Sequence, residues 1–370
     1  MKTRKFSFFD KLLLLITIGV VIGLVCGILA GKSDPRQHII LAFMGLAYPF
    51  FLLANIIMLL WWFLRKRWVL SIVIGVVIVA GWHTLIATFG LFGKVGDYAK
   101  EEPALVRMMT YNVHNFKPYD EDMTETVKEK MLDVVKKQNP DIICFQEFYT
   151  RYKGPYDTVD TLMKLLNTEH YYFQPTMKSQ SEAIGLAIFS KYPIKDKGNI
   201  IFEEKAGNES IYLDLDVNGQ TIRVYNVHLQ SISFDKEDYT YLEKVKEMDP
   251  QMNPTKRILR MLRSAFKKRS TQVDLMKAHM KTCTVPYIIA GDFNDTPASY
   301  AVTKMTDSLN NAFIEQGRGL GRTYNGKFPN FQIDYIATTK DFEVTNYHII
   351  EAKLSDHFPV RSDLRIKSKP

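Results

Sequence analysis

The spacing of apolar residues changes character near residue 97. Before that point they form three long unbroken runs, Leu12–Ala30, Ile39–Leu64 and Val69–Phe92. A hydrocarbon core about 30 Å thick takes about 20 helical residues, so each run predicts a transmembrane helix. The first run is too long for a cleaved signal peptide, and two more follow it at once. Lys2, Arg4, Lys5 and Lys11 precede the first run, and Arg65, Lys66 and Arg67 fill the turn between the second and third. The intervening loop has only Lys32 and Arg36, with Asp34. The positive-inside bias then places the N-terminus and the Arg65–Arg67 turn in the cytoplasm, and everything after Phe92 on the outer side. Trp61, Trp62 and Trp68 fall at the cytoplasmic interface, where aromatic belts form. No Asp, Glu, Lys or Arg interrupts the three runs, and His83 reads as a buried neutral side chain. The segment is therefore an anchor rather than an ion pathway.

Past residue 97 short strand-like runs alternate with helical ones. Strands are predicted at Leu105–Tyr111, Asp141–Gln146, Ile184–Ser190, Ser210–Val217, Gln220–His228, Val285–Ala290, Ile333–Thr338 and Asn346–Glu351. Asn218-Gly219 marks a hairpin between the fourth and fifth. Helices are predicted at Met123–Gln138, Thr158–Leu166, Thr271–Lys281 and Ala298–Met305; Val127, Met131, Val134 and Val135 recur at helical spacing. This alternation predicts an α/β fold, two packed sheets flanked by helices, for a domain spanning 98–370 behind an anchor spanning 1–97. One polar insertion near 235–269 interrupts it. Within it Lys256–Arg269 carries seven basic residues and no acidic one. Its apolar positions suggest either a basic amphipathic helix, suited to an anionic bilayer or a phosphate-rich substrate, or a solvated insertion helix.

Charge sharpens the picture. Residues 1–97 hold ten Lys and Arg against three Asp, whereas 98–370 hold 38 Lys and Arg against 37 Asp and Glu. The net charge of +8 thus sits mostly in the anchor. The soluble part is not the strongly basic body expected of a protein that binds nucleic acid by charge alone. Three cysteines, with no Cys-x-x-Cys pair, suggest neither a metal knuckle nor a disulfide framework.

Five short polar blocks have no evident structural role. They are Tyr111–Asn115, Phe145–Glu147, Tyr225–His228, Gly291–Asn294 and Ser355–His357. Four follow an apolar strand-like run, so their side chains can converge on one rim of a sheet. Glu147 ends such a run, where an unpaired carboxylate would be costly, and a metal ion is one remedy. Asp292 and Asn294, two apart, point the same way on an extended chain. His228 and the Asp356-His357 pair add imidazoles suited to hydrolysis of phosphate esters, and hard oxygen donors suit Mg²⁺.

Order and context make the set specific. YNVHNF (111–116), DIICFQE (141–147), GLAIFSKYPI (185–194), YNVHLQS (225–231), IIAGDFNDTP (288–297), QIDYI (332–336) and LSDHFPV (354–360) resemble the endonuclease/exonuclease/phosphatase superfamily, over roughly 105–365. The resemblance implies a four-layer α/β sandwich and a divalent cation, usually Mg²⁺, with Mn²⁺ or Ca²⁺ as alternatives. It implies Glu147 as main metal ligand with Asn112 beside it. Asp292 would activate water and Asn294 would hold a phosphate oxygen. His228 and His357 would stabilise the transferring phosphoryl group. Asp334 would orient one histidine; Asp356 would orient the other or touch the metal. His114 departs from the Asp found there in some nuclease branches.

The resulting expectation is a membrane-anchored, metal-dependent phosphoesterase with its catalytic domain on the outer side, a periplasmic face if the membrane is a bacterial inner one. A phosphodiester-cutting nuclease leads. A lipid-headgroup phosphodiesterase of sphingomyelinase type, an inositol-phosphate phosphatase and an inactive tethered binding module are the alternatives. The partners implied are the phosphoester substrate, nucleic acid or lipid headgroup, and the bilayer; no protein partner is implied.

Overall fold

In the computed structural model the described residues are 6–91, 93–94, 96–118, 126–203, 208–232, 252–326 and 330–367. The chain divides into two compact units, 1–88 with 296–304, and 89–295 with 305–370.

The first unit contains α1 (Phe8–Ala30), α2 (Ile39–Leu46), α3 (Tyr48–Leu64), α4 (Trp68–Ala80) and α5 (Trp82–Thr88). Ser7 and Asp10 form a reciprocal capping box at the start of α1, satisfying two of its free backbone donors. Helices α1 and α3 run antiparallel. Asp10 meets Arg65 at 3.0 Å, the Trp62 indole donates to Thr17 Oγ1 at 2.9 Å, and Asn55 donates to the Val20 carbonyl at 3.0 Å. Further along, Gly23 faces the Phe51 ring so closely that a Cβ would collide with it. Large apolar side chains such as Leu15, Ile22, Ile40, Leu53, Leu64, Val69 and Val79 are exposed, as on a surface meant for lipid.

Only α1 is by itself long and apolar enough to cross a membrane among the described residues. The second and third predicted spans are bent. α2 and α3 meet at 63°, and α4 and α5 at 70°. Pro49 in the first turn of α3 cannot donate to the preceding turn, and Gly81 ends α4. The helical part of the third run stops at Thr88; Phe89–Gly90 instead pairs with Gly319–Leu320.

The second unit is an α/β sandwich. Its strands are β1 (Val106–Asn112), β2 (Ile142–Arg151), β3 (His170–Lys178), β4 (Glu182–Ser190), β5 (Ile194–Ile201), β6 (Glu209–Val217), β7 (Gln220–His228), β8 (Tyr287–Asp292), β9 (Asp334–Thr338), β10 (Phe342–Ile349) and β11 (Val360–Ile366). One sheet runs β10-β11-β1-β2-β4-β3. The other runs from the two-residue strand Asn310–Asn311 through β9-β8-β7-β6-β5. Each sheet is mixed: β1 with β2 and β7 with β8 are parallel, and the remaining pairs are antiparallel.

Alternate residues of these strands face alternate cores. Met108, Ile142, Cys144 and Ile188 pack between the sheets against Leu213, Val224, Ile288 and Ile336. Their neighbours Met109, Ile143, Phe145 and Phe189 face outward onto α6 (Val127–Gln138) and α7 (Thr158–Leu166). Burial on both faces explains why the central strands read as continuous apolar runs. On the outer face of the other sheet lies α8 (Met252–Lys281), with Tyr225 Oη 3.1 Å from His279 Nδ1. Strands β3, β5 and β11 were not anticipated: β3 and β5 sit at sheet edges and are too polar to show a run, and the inner strand β11 carries buried Arg361, Ser362 and Asp363.

The predicted basic insertion and the Thr271 helix are one element. From Met252 on, the chain is the continuous helix α8, and the rest of the 235–269 insertion lies outside the described residues. Ile258, Leu262, Ala265 and Phe266 give its first half a buried side, so the imperfect apolar pattern was a core-facing stripe.

At the opening of β6, Glu209 is buried, with one oxygen lacking a hydrogen-bond partner among the described residues. Burial pushes its pKa up to about 7 from 4.5, against a hydrogen bond from Asn199 that lowers it. The folded state therefore holds a proton that the unfolded state has already lost, and stability falls as pH rises from 4.5 through about 7. Glu209→Gln should flatten this slope and gain roughly 1–3 kcal/mol over the natural protein at alkaline pH. Urea unfolding across the pH range checks it; equal slopes for both proteins would contradict it.

Candidate active site

The topology dictates where chemistry collects. In both parallel pairs the carboxy ends lie side by side, Asn112 beside Gln146 and His228 beside Asp292. Strand β9 runs antiparallel to β8 and so begins at the same rim, with Asp334 opposite Asp292. Among the described residues, four of the side chains singled out from sequence, Asn112, Glu147, Asp292 and Asn294, thereby meet in one hydrogen-bonded group, and the bonded pair His357–Asp334 comes within 3.7 Å of it.

Asn112 joins the two sheets. Its Nδ2 donates to Glu147 Oε1 at 3.3 Å and to Asp292 Oδ2 at 3.1 Å. Glu147 reaches the rim because β2 bulges between Phe145 and Phe148, with Glu147 at φ 51°. A bulge re-aims a side chain that regular pleating would bury or turn away. Gly291, at φ 142°, lies so close to the Val227 backbone that no Cβ fits, which brings β7 and β8 together just below the rim.

Asp292 is held on both oxygens. The Asn294 backbone N–H donates to Oδ1 at 2.8 Å, and the Asn294 side chain to Oδ2 at 3.1 Å. Asn294 also donates to the Leu229 carbonyl at 3.0 Å. Its amide nitrogen thus holds both Asp292 and the chain after β7. Burial, helped by the Asp334 charge and opposed by His357, pushes the pKa of Asp292 up to about 7.

The two histidines converge on this carboxylate. Nε2 of His357 is 3.7 Å and Nε2 of His228 3.8 Å from Asp292 Oδ2. His357 Nδ1 faces both oxygens of Asp334 at 3.0 and 3.1 Å, so this carboxylate fixes the ring and its tautomer. Burial opposes charge on His357, yet Asp334 and Asp292 outweigh it and hold the imidazole well above the ordinary range. Burial keeps His228 below that range, with Glu147 opposing. Among the described residues its buried Nε2 has no hydrogen-bond partner.

Asp356 is placed differently from one expectation. It meets His114, with Oδ1 3.5 Å from Nδ1, rather than orienting His228. Ser355 Oγ donates to the Asn112 carbonyl at 2.9 Å and accepts the His357 N–H at 3.2 Å, tying this loop to β1.

Oxygen donors suited to a divalent cation sit at the Glu147 side. Glu147 keeps Oε2 free of Asn112 and is about one-third exposed, with Asp356 nearby on the same imidazole. These hard donors fit Mg²⁺ or a similar ion. Asp292, Asp334 and His357 also place ligand atoms within 4.8 Å of one another.

The comparisons agree with this geometry. A family model described as the Endonuclease/Exonuclease/phosphatase family matches residues 109–357. The chain belongs to the endonuclease/exonuclease/phosphatase family. Residues 10–88 match a domain of unknown function. No curated protein matches the chain. Among solved structures, the human Nocturnin catalytic domain with bound sulfate anion is similar at 17% identity and TM-score 0.51, over 72% of this chain and 97% of that one. Family proteins from Bacteroides thetaiotaomicron (16%, TM-score 0.51, 72% and 100%) and Bacteroides vulgatus (18%, TM-score 0.50, 71% and 99%) are similar too. At these identities the likeness concerns the fold.

This family member also relies on polar residues whose contacts sequence reading did not foresee. Gln146 Nε2 donates to Asn226 Oδ1 at 2.7 Å, and Asn226 Nδ2 donates to the carbonyls of Phe145 and Ala187 at 2.8 and 3.0 Å. This buried amide pair bolts the sheets together beneath the site. Thr323 Oγ1 accepts the N–H groups of Ile333 and Asp334 at 2.9 and 3.0 Å, fixing the start of β9. Arg269 of α8 is almost fully buried. It pairs with Asp295 at 3.1 Å and donates to the carbonyls of Asn294 and, at 3.3 Å, Gln230. It thus clamps the loops after β7 and β8. Arg269 was legible only as one more cation of a basic run; Gln146 and Asn226 lay inside motifs already marked.

Replacing Arg269 with Gln should remove the cation that pairs with buried Asp295 and cost about 3 kcal/mol of stability. The loosened Asn294 loop should lower kcat by roughly 100-fold with little change in KM. Steady-state kinetics and thermal unfolding check this; a normal kcat in the folded variant would contradict the clamp.

Proposed function

We propose that the chain is a membrane-anchored, divalent-metal-dependent hydrolase of phosphodiester bonds, nucleic acid being its leading substrate class. The observation that carries this reading is the continuous chain of contacts Glu147–Asn112–Asp292–His357–Asp334, with His228 facing Asp292.

Glu147, with Asn112 and Asp356 beside it, would hold the cation, Mg²⁺ being the ion implied by the family. When bound, it supplies Lewis-acid neutralisation of phosphate oxygens and of the leaving oxygen. The protein's own groups divide the remaining work. Asp292, its pKa raised to about 7 by burial, is poised to take a proton from an attacking water. His357, held cationic by Asp334 and Asp292, presents Nε2 toward the charge that develops on the phosphoryl oxygens. Neutral His228 offers its buried Nε2 to the same group. Asn294 and Asn112 keep Asp292 from turning away. The chain keeps all six of Glu147, His228, Asp292, Asn294, Asp356 and His357, which supports turnover over an inactive tethered module.

A second reading, cleavage of a lipid headgroup, draws support from α8. Exposed Leu259 there lies among exposed Lys256, Arg260 and Arg263, as on a helix that rests on an anionic bilayer.

Three crossings, with α2–α3 and α4–α5 each spanning once, fit the lengths of the apolar runs. With the Lys and Arg distribution they put the catalytic unit on the outer face, periplasmic in a bacterial inner membrane. A division near residue 97 belongs to this same reading.

The test is hydrolysis by the purified full chain with Mg²⁺ or Mn²⁺, against supercoiled DNA, RNA, sphingomyelin vesicles and inositol phosphates. Glu147→Ala and His357→Ala are each expected to lower kcat by roughly 10³-fold or more on the true substrate. Turnover of DNA or RNA supports the leading reading, and turnover of vesicles alone favours the second. Hydrolysis that survives both substitutions would overturn the site.

A further inference from the structure

His114 is the side chain at the site to which the catalytic reading gives no role. It lies two residues past the end of β1, in a tight turn at φ 44°, with its backbone N–H donating to Asn112 Oδ1 at 3.2 Å. The turn places the imidazole at the partly exposed mouth. Its Nδ1 is 3.5 Å from Asp356 Oδ1 and 3.8 Å from Glu147 Oε2. Good hydrogen bonds from nitrogen to oxygen fall at about 2.7–3.2 Å. Two ligand atoms that share one small cation, each about 2.0–2.2 Å from it, stand roughly 3.0–3.7 Å apart. The spacing around His114 is therefore nearer that of co-ligands than that of hydrogen-bonded partners.

The three groups come from three places in the fold: the turn after β1, the bulge in β2, and the loop before β11. They converge on the side of Glu147 that Asn112 leaves open. The two carboxylates are those of Glu147 and Asp356. Both are partly exposed, at 31% and 21%, so a side-chain rotation can draw them in.

We propose that His114 Nδ1 is a third protein ligand of the metal at Glu147, completing a His114–Glu147–Asp356 set. This rests on the metal reading given under Proposed function. An imidazole nitrogen in place of an all-oxygen set carries a chemical consequence. Mg²⁺ gains little from nitrogen, whereas Mn²⁺ and Co²⁺ bind imidazole and rank higher at mixed nitrogen–oxygen sites. The site should thus favour a first-row transition ion, Mn²⁺ being the hardest of them, over Mg²⁺.

The experiment uses the full chain in detergent, loaded with Mn²⁺ alone, in natural, His114→Ala, His114→Asp and Glu147→Ala forms. Free Mn²⁺ is counted by electron paramagnetic resonance, and pulsed measurements detect nitrogen bonded to the bound ion. The natural protein should show directly bonded nitrogen, and His114→Ala should lose that signal. His114→Ala should also bind Mn²⁺ roughly tenfold or more weakly while its Mg²⁺ affinity, read by competition, changes much less. His114→Asp should keep Mn²⁺ without nitrogen and gain in relative affinity for Mg²⁺. Mn²⁺ bound through Glu147 with no nitrogen signal, or with a signal that persists in His114→Ala, would overturn the His114 assignment and leave the metal site standing. Mn²⁺ binding unaffected by Glu147→Ala would overturn the metal site itself.

Discussion

Parallel pairing at the centre of each sheet is the constraint on which the rest depends. A parallel pair delivers two carboxy ends to the same edge, and β1 with β2 and β7 with β8 do so in sheets packed face to face. Asn112, His228 and Asp292 are such ends, and Glu147 follows the last residue of β2 that pairs with β1, at the bulge. The antiparallel β9 adds Asp334 by starting where β8 stops. Inter-sheet registry is then set by polar contacts, the Gln146–Asn226 amide pair below and the Asn112–Asp292 contact at the rim. Buried amides of this kind are costly unless fully paired, so they select one sliding position of sheet against sheet.

Electrostatics follow from that placement. Three ionisable groups, Asp292, Asp334 and His357, are buried within hydrogen-bond or ion-pair reach of one another. Burial alone would neutralise them all. The geometry instead separates their roles: Asp334 faces the histidine and stabilises its positive form, whereas Asp292 is left with a pKa raised by burial and is braced by amides. A pair of groups driven apart in this way is what acid–base work near neutral pH requires. Neutral His228 supplies polarity without a second buried cation.

Much of this was legible in the sequence, for physical reasons. Strands buried on both faces leave unbroken apolar runs, so β1, β2, β7 and β8 were visible, and polar residues placed just after such runs have few structural reasons to be there. Edge strands β3 and β5 carry mixed polarity and left no such trace. Helix α8 was read as two pieces because its first half interleaves cations with a buried stripe. The bends at Pro49 and Gly81 were hidden inside uniformly apolar stretches, where hydropathy reports length and not direction. At the site, residue type and order disclosed which groups meet, but not what each amide holds. The grip of Asn294 on Asp292, the buried clamp of Arg269 and the pairing of Asp356 with His114 depend on side-chain directions that only the folded chain displays.

The central claim is that the rim shared by the two sheets is one site, with the metal on its Glu147 side and the phosphoryl group between the histidines. Crystals of the protein soaked with Mn²⁺ and inorganic phosphate test it most directly, because anomalous scattering locates the ion without reference to activity. The expected result is an Mn²⁺ peak at Glu147 and a phosphate touching Nε2 of His228 and His357. An ion seated among Asp292, Asp334 and His357 with nothing at Glu147, or phosphate bound away from the histidines, would contradict it.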